Sequence, residues 1–206
     1  MKLDIWPTVQ TERTVLAADL GGVSDERWSM PSLCDRWTVR DALAHMTATA
    51  KITPGRLFPK LAGSGFSFSR MQTKDIAAER GPAPADTLRG FEAIIASTKG
   101  PPGPPLIMMG ETLLHSEDIR RPLGIPHTYP TEWLIRLADF YKSSNFVFGT
   151  KRRIAGLSLR ATDADWSHGS GPEASGPMLS MLVAMTGRQA GLAELEGPGV
   201  DILRSR

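Results

Sequence analysis

The chain has 206 residues, of which 41% are hydrophobic and 22% charged, and its formal net charge is +2. This composition indicates a globular protein with a hydrophobic core and excludes an intrinsically disordered chain. The 24 basic and 22 acidic residues nearly balance, so nothing in the charge pattern favours a nucleic-acid partner. The pairs Arg120-Arg121 and Arg152-Arg153 are too short to change this, and we expect them to be solvated helix ends.

The same composition predicts a soluble, cytoplasmic protein. Cys34 is the single cysteine, so no internal disulfide can form. The first residues lack an apolar signal core, and no segment reaches the roughly 18 apolar residues that a membrane-spanning helix needs. Because no neighbouring base can be identified, we expect Cys34 to be a small apolar filler rather than a reactive thiol.

Helices are predicted where apolar residues recur at helical spacing between capping and breaking residues. The second of them has a strong start signal, because Thr38 is a good cap and Asp41 follows three residues later, as in a capping box. Pro54 should kink or restart this helix. Residues 63 to 74 carry Gly, Ser and two Phe, and are predicted to form a mobile loop. The predicted helices span residues 5–20, 38–61, a segment after Pro82, 106–121 and 131–148.

The pattern changes after residue 148. Residues 154–162 alternate like a strand, residues 163–166 resemble a turn, and a Gly/Ser/Pro cluster covers 169–177. Residues 178–185 form a compact apolar helix, and the end of the chain is helical around Val200. We therefore predict a mostly α protein, with a helix bundle over residues 1–148 and a small α+β domain over residues 149–206.

Glu111 and His115 are the first candidate site residues, because side chains four apart on a helix share one face. His45, on the capped helix, could complete a three-ligand site for a divalent ion such as zinc, with one position open. The spacing of Glu111 and His115 also arises by chance, and His45 could simply be a buried core residue. His127 and His168 lie in Pro- and Gly-rich segments and show no ligand spacing.

Two motifs resemble those of the mycothiol-dependent maleylpyruvate isomerase family. Trp37-Thr-Val-Arg-Asp-Ala-Leu-Ala-His45-Met is similar to the family's W-T-V-R-D-x-x-A-H-[LM] motif. The segment from Gly110 to Gly124, which reads GETLLHSEDIRRPLG, is similar to its G-E-x-x-x-H-x-x-D-I-R-R-x-L-G motif. A weaker similarity to the family's C-terminal domain covers Asp165-Trp166, Gly171–Pro177 and Gly187-Arg188.

The resemblance implies a DinB-like four-helix bundle that binds a metal ion, followed by a small C-terminal domain. It implies that His45, Glu111 and His115 are the metal ligands, and that Arg188 is a catalytic residue near the active site. The alternative for Arg188 is a surface arginine after a helix-ending glycine. This chain departs from the family's usual Cys-Pro-Gly-Trp or Cys-Ala-Gly-Trp segment, because Arg36 replaces the glycine.

The implied chemistry requires zinc or another divalent ion and mycothiol, the low-molecular-weight thiol of actinobacteria, with an electrophilic small molecule as substrate. The thiol would attack the substrate as thiolate, giving either an isomerase or an S-transferase. One alternative is a non-catalytic ligand- or protein-binding module with Phe66 and Phe68 at its contact surface, although these residues could also belong to a flexible lid. Another alternative is metal-dependent hydrolysis, for which no separate base is evident. Asp118 could orient His115 or pair with Arg121.

Overall fold

The structure is a computed structural model that describes residues 4–206. It divides into two compact units, the first ending at Pro126 and the second running from His127 to Arg206. The predicted mostly α fold with a small α+β part is confirmed. No helix in the described residues is long and apolar enough to cross a membrane.

Helices make up the first unit. Four of them, α1, α2, α5 and α6, contribute buried side chains to one hydrophobic core, in which Leu16, Leu43, Phe91 and Ile119 are fully buried. The helix α4 packs against α2 on the outside of this core. Between residues 4 and 126 the α-helices are α1 (Trp6–Leu20), α2 (Val39–Thr49), α3 (Pro54–Ala62), α4 (Phe68–Glu79), α5 (Pro84–Glu92) and α6 (Leu106–Arg120).

The predicted capping box at the start of α2 is present. The Thr38 hydroxyl accepts a hydrogen bond from the Asp41 backbone N–H, and the Asp41 carboxylate accepts one from the Thr38 backbone N–H. Two backbone donors at the helix start are satisfied in this way. Because α2 is buried along most of its length, this cap fixes where the helix begins inside the core.

The segment after α2 restarts at Pro54, as predicted. Helix α2 ends at Thr49 and α3 begins at Pro54, because proline fits the first turn of a helix and not its interior. The predicted mobile loop over residues 63–74 is wrong in its second half, where α4 begins after the capping residue Ser67. Phe66 and Phe68 remain 66% and 57% exposed, so neither packs into the core.

The expectation of solvated arginines is wrong for Arg120. This side chain is fully buried, and its Nε donates to Asp19 Oδ2 on α1 at 2.8 Å. Arg121 pairs with Glu117 at 2.7 Å. The two arginines therefore belong to ion pairs, one of which joins α6 to α1.

The second unit combines helices with a three-stranded sheet in the order β2-β1-β3. Strand β1 pairs antiparallel with β2 and parallel with β3. The elements are α7 (Thr131–Lys142), α8 (Thr150–Arg153), β1 (Ser158–Ala161), β2 (Ser167–Gly169), β3 (Glu173–Gly176), α9 (Met178–Met185) and α10 (Gly199–Arg204). The helix predicted over 178–185 is confirmed, whereas β3 lies in a segment predicted only as a Gly/Ser/Pro cluster.

The observed division also differs from the predicted one at residue 148. Helix α7 packs against α8 and α9 of the second unit, with Trp133, Leu137 and Tyr141 buried on one face. Trp166 Nε1, near β2, donates to Asp139 Oδ1 on α7 at 3.1 Å. The chain therefore enters its second unit before α7, because the apolar face of α7 is buried there.

Candidate metal centre

The candidate centre lies between α2 and α6, which pack against each other in the first unit. Helix α2 carries His45, and α6 carries Glu111 and His115. The apolar residues on either side of His45, Ala44 and Met46, are buried in the bundle. These neighbours fix the rotation of α2 and turn His45 towards α6.

The three side chains predicted to act together do converge. His45 Nε2 lies 2.8 Å from Glu111 Oε1, and His115 Nε2 lies 3.5 Å from the same oxygen. One ligand-type atom from each residue lies within 4.8 Å of the other two. Both histidines are more than nine-tenths buried, so their rings are held by the surrounding protein.

Glu111 Oε1 provides a test of whether these residues fit a metal ion. This oxygen is buried and has no hydrogen bond of acceptable geometry, although two imidazole nitrogens are close to it. A buried carboxylate oxygen without a hydrogen bond is costly and calls for another partner. Two imidazole nitrogens and one carboxylate oxygen are a ligand set that zinc accepts, with bonds of about 2.0–2.2 Å. The residues therefore fit a divalent ion.

Asp118 and Cys34 lie on the other side of the His115 ring. Asp118 Oδ2 is 2.8 Å from His115 Nδ1, and the Cys34 thiol donates to the same oxygen at 2.9 Å. Of the two roles considered for Asp118, the contact with His115 is present, while Arg121 pairs with Glu117. Cys34 is therefore a hydrogen-bond donor to Asp118 and more than an apolar filler.

The loop before α2 forms a wall of the centre. The Trp37 ring centroid lies 4.6 Å from that of His45 and 6.0 Å from that of His115. The Leu33 backbone N–H donates to the Asp118 carbonyl and ties this loop to α6. Arg36 has a φ of 67°, in the left-handed region that glycine adopts most easily. The loop therefore keeps the backbone conformation of a glycine although arginine occupies the position.

Electrostatics couple the members of the centre. Burial raises the pKa of Glu111, but the charges of His115 and His45 outweigh burial and hold this pKa well below its usual value. Burial lowers the pKa of His115, but the Glu111 charge and the hydrogen bond with Asp118 raise it well above its usual value. Both shifts favour the charged forms of Glu111 and His115.

Two other groups near the centre have shifted pKa values. Burial raises the pKa of Cys34, and the hydrogen bond with His115 offsets only part of that change. Burial lowers the pKa of Arg13 to about 10, against the opposing effect of the Glu111 charge. Arg13 Nη1 donates to the carbonyls of Ile94 and Ser97. Sequence reasoning missed Arg13, although its position between Val9 and Leu16 on the apolar stripe of α1 could have indicated burial.

Arg188 lies in the second unit and is buried, so the alternative of a surface arginine is wrong. Its guanidinium carbon lies 5.1 Å from the centroid of the Phe148 ring. Its Nη1 donates to the Thr186 hydroxyl at 3.1 Å. His168 lies in β2, and neither it nor His127 belongs to a group of converging metal-ligand atoms among the described residues.

Comparisons with known proteins agree with this architecture. Residues 9–102 match the family model described as "Mycothiol maleylpyruvate isomerase N-terminal domain". The fold is similar to the crystal structure of the mycothiol-dependent maleylpyruvate isomerase, with a TM-score of 0.66, 15% sequence identity and coverage of 94% of this chain and 91% of the other. A histidine-to-alanine mutant of that enzyme matches with the same values. A comparison with curated protein sequences finds no match.

Proposed function

We propose that the chain is a member of the mycothiol-dependent maleylpyruvate isomerase family, whose N-terminal domain model matches residues 9–102, and that it is a divalent-metal-dependent enzyme that uses mycothiol on an electrophilic small molecule. The observation that carries this proposal is the convergence of His45, Glu111 and His115, with Glu111 Oε1 buried and lacking a hydrogen bond. The reaction is an isomerisation or an S-transfer, because the same thiol attack begins both.

His45, Glu111 and His115 are the proposed metal ligands, with zinc as the proposed ion, because zinc accepts imidazole and carboxylate ligands. When bound at such a site, a divalent ion lowers the pKa of a coordinated thiol and so makes it a nucleophile at neutral pH. Asp118 accepts the hydrogen bond from His115 Nδ1, which leaves Nε2 as the ligand atom. Trp37 covers one side of both imidazoles and keeps water from that side.

The substrate step follows from thiol chemistry. The thiolate sulfur adds to one carbon of an activated cis double bond, and the carbon–carbon bond can then rotate. Expulsion of the thiolate restores the double bond in the trans form and leaves the thiol unchanged. In an S-transfer, the carbanion formed by the addition takes up a proton instead, and the new carbon–sulfur bond remains in the product. Arg188 is proposed to bind an anionic group of the substrate, because guanidinium groups bind carboxylates with paired hydrogen bonds.

The direct test is turnover of maleylpyruvate in the presence of mycothiol and zinc, followed as loss of the cis isomer. We expect turnover that requires the thiol and falls by more than about 100-fold in Glu111→Gln, since losing even an outer partner of a ligand costs about 10–100-fold. Glu79→Gln is the control, because Glu79 pairs with Lys51 away from the site.

A search for a covalent adduct between mycothiol and the substrate, made on the same samples, separates S-transfer from isomerisation. A protein that binds zinc but shows neither product would overturn the enzymatic proposal and favour the non-catalytic binding module.

A further inference from the structure

The second unit contains a cluster of arginines that the proposed chemistry does not use. Arg152, Arg153 and Arg206 line an open cavity of about 480 Å³ together with Gly149. No acidic residue is among the lining residues, so the cavity carries a concentrated positive charge.

Arg153 is the least expected member of this cluster. Its Nε is buried and, within the described part of the chain, has no hydrogen-bond partner. Its guanidinium lies against Gly187, where an added Cβ would come within 2.6 Å of Arg153 Nη2. The glycine thus leaves space for the guanidinium. The expectation of a solvated helix end is wrong for Arg153, because part of its charged group is withdrawn from water without a partner.

The other two arginines are placed by the backbone. Arg206 Nη1 donates to the carbonyls of Arg153 and Ala155, at 2.8 and 2.7 Å. The backbone N–H of Arg152 donates to Asn145 Oδ1 at 2.8 Å, which fixes the start of α8 and leaves the Arg152 side chain exposed. These contacts hold the Arg206 guanidinium and the Arg152 backbone beside the cavity.

Two other arginines of this unit are paired with carboxylates. Arg160 pairs with Glu173 and Arg204 with Asp201. Among the described residues, neither Arg152, Arg153 nor Arg206 has such a pair. Guanidinium groups in one cavity repel each other, and an oxyanion that accepts hydrogen bonds from two or three of them removes the repulsion.

We propose that Arg152, Arg153 and Arg206 form an oxyanion-binding pocket that takes the carboxylate or phosphate group of a small molecule. The three arginines that line one cavity, without a carboxylate pair among the described residues, carry this proposal. It does not depend on the metal centre, so it can fail or hold separately from the proposed function.

The test is calorimetric titration of the full chain with inorganic phosphate and, separately, with malonate, at constant ionic strength maintained with chloride. The protein is first treated with chelator and desalted, so that neither anion can bind a metal ion. We expect one-to-one binding of at least one anion. Binding of phosphate alone would indicate a phosphorylated ligand, and binding of malonate alone would indicate a carboxylate ligand. Binding of both anions would indicate that the pocket recognises the oxyanion chemistry that they share.

Arg153→Gln should weaken this binding by about tenfold or more, since it removes a charge-assisted hydrogen-bond donor. Arg152→Gln should also weaken anion binding. Because this variant alters an exposed side chain, it tests the pocket even if Arg153→Gln does not fold. Arg204→Gln is the matched control in the same unit and should leave anion binding unchanged. The proposal would be overturned if neither anion binds, or if wild type and the folded Arg153→Gln and Arg152→Gln variants bind with equal affinity.

Discussion

Asp118 Oδ2 lies 2.8 Å from His115 Nδ1, while Nε2 of the same imidazole faces Glu111. Because both contacts come from one helix, α6 supplies the Glu111 carboxylate, the His115 imidazole and the Asp118 carboxylate beside that imidazole. Only His45 comes from a second helix. The geometry of α6 therefore determines most of the centre, and the packing of α2 against α6 completes it.

Asp118→Asn should reduce zinc affinity by about 10–100-fold, because an amide is a weaker acceptor for the His115 N–H and can turn its own N–H towards the ring. The measurement is competition with a chromophoric chelator. Asp75→Asn is the matched control, since Asp75 pairs with Lys60 away from the centre. Equal zinc affinities of Asp118→Asn and the wild-type protein would contradict an orienting role for Asp118.

The metal-free protein should lose stability as pH rises above about 6.5. The pKa of His115 is raised in the folded protein. Its contribution to the free energy of unfolding is therefore complete below its ordinary pKa of 6.5 and disappears as pH rises through the pKa of the folded protein. The pKa of Glu111 is lowered in the folded protein. Its contribution to the free energy of unfolding is therefore complete above pH 4.5 and disappears as pH falls through the pKa of the folded protein. The free energy of unfolding in urea, measured against pH, should show the loss above 6.5, and His115→Ala should flatten it.

Zinc should reverse this trend. Ligand histidines must be deprotonated, so zinc competes with protons and binds more tightly as pH rises. The increase in melting temperature caused by zinc should therefore be larger at pH 8 than at pH 6. A zinc effect that is constant over this range, or absent, would show that His115 is not a ligand. His168→Ala serves as the control, because His168 lies in the second unit, in β2.

Cys34 should react slowly with alkylating agents in the folded protein. Burial raises the pKa of its thiol, and the thiolate is the reactive form. Because Cys34 is the single cysteine, the rate of iodoacetamide labelling reports on it alone. Labelling at pH 7 should be at least about tenfold slower than in protein unfolded by urea. A faster rate in the folded protein would indicate an activated thiol.

Arg36→Gly should stabilise the protein. Arg36 has a φ of 67°, and a left-handed conformation costs a residue with a Cβ about 1–2 kcal/mol. Part of that gain is lost to the greater freedom of glycine in the unfolded chain, so we expect a rise of about 2–4 °C in melting temperature. Asp35→Gly is the control in the same loop, because Asp35 has no positive φ and should gain nothing. A lower melting temperature for Arg36→Gly would contradict the proposed cost of the left-handed backbone conformation at Arg36.

Local signals explain which elements were predictable. The capping box of α2 and the apolar stripes of α1, α2 and α6 depend on residues close in sequence, and these helices were predicted. Strand β3 has no such signal, because Glu173-Ala-Ser-Gly176 is held by pairing with β1. At Gly176, an added Cβ would lie 2.5 Å from the Glu194 carbonyl oxygen. That close approach is a tertiary contact that no local pattern records.

The candidate centre also combines features that local sequence predicts with features that depend on helix packing. The spacing of Glu111, His115 and Asp118 places them on one face of α6, so their proximity follows from helix geometry. The contact of Cys34 with Asp118 spans 84 residues of sequence, and the position of Trp37 beside both imidazoles depends on the packing of α2 against α6. These features required the structure because they depend on how helices pack.

The most direct measurement is the metal content of the purified protein by elemental analysis, before and after incubation with zinc and desalting. The account predicts one bound ion per chain in wild type and in the His168→Ala control, and much less than one in Glu111→Gln and His115→Ala. Substoichiometric zinc in the wild-type protein, or one retained ion per chain in both site variants, would contradict it.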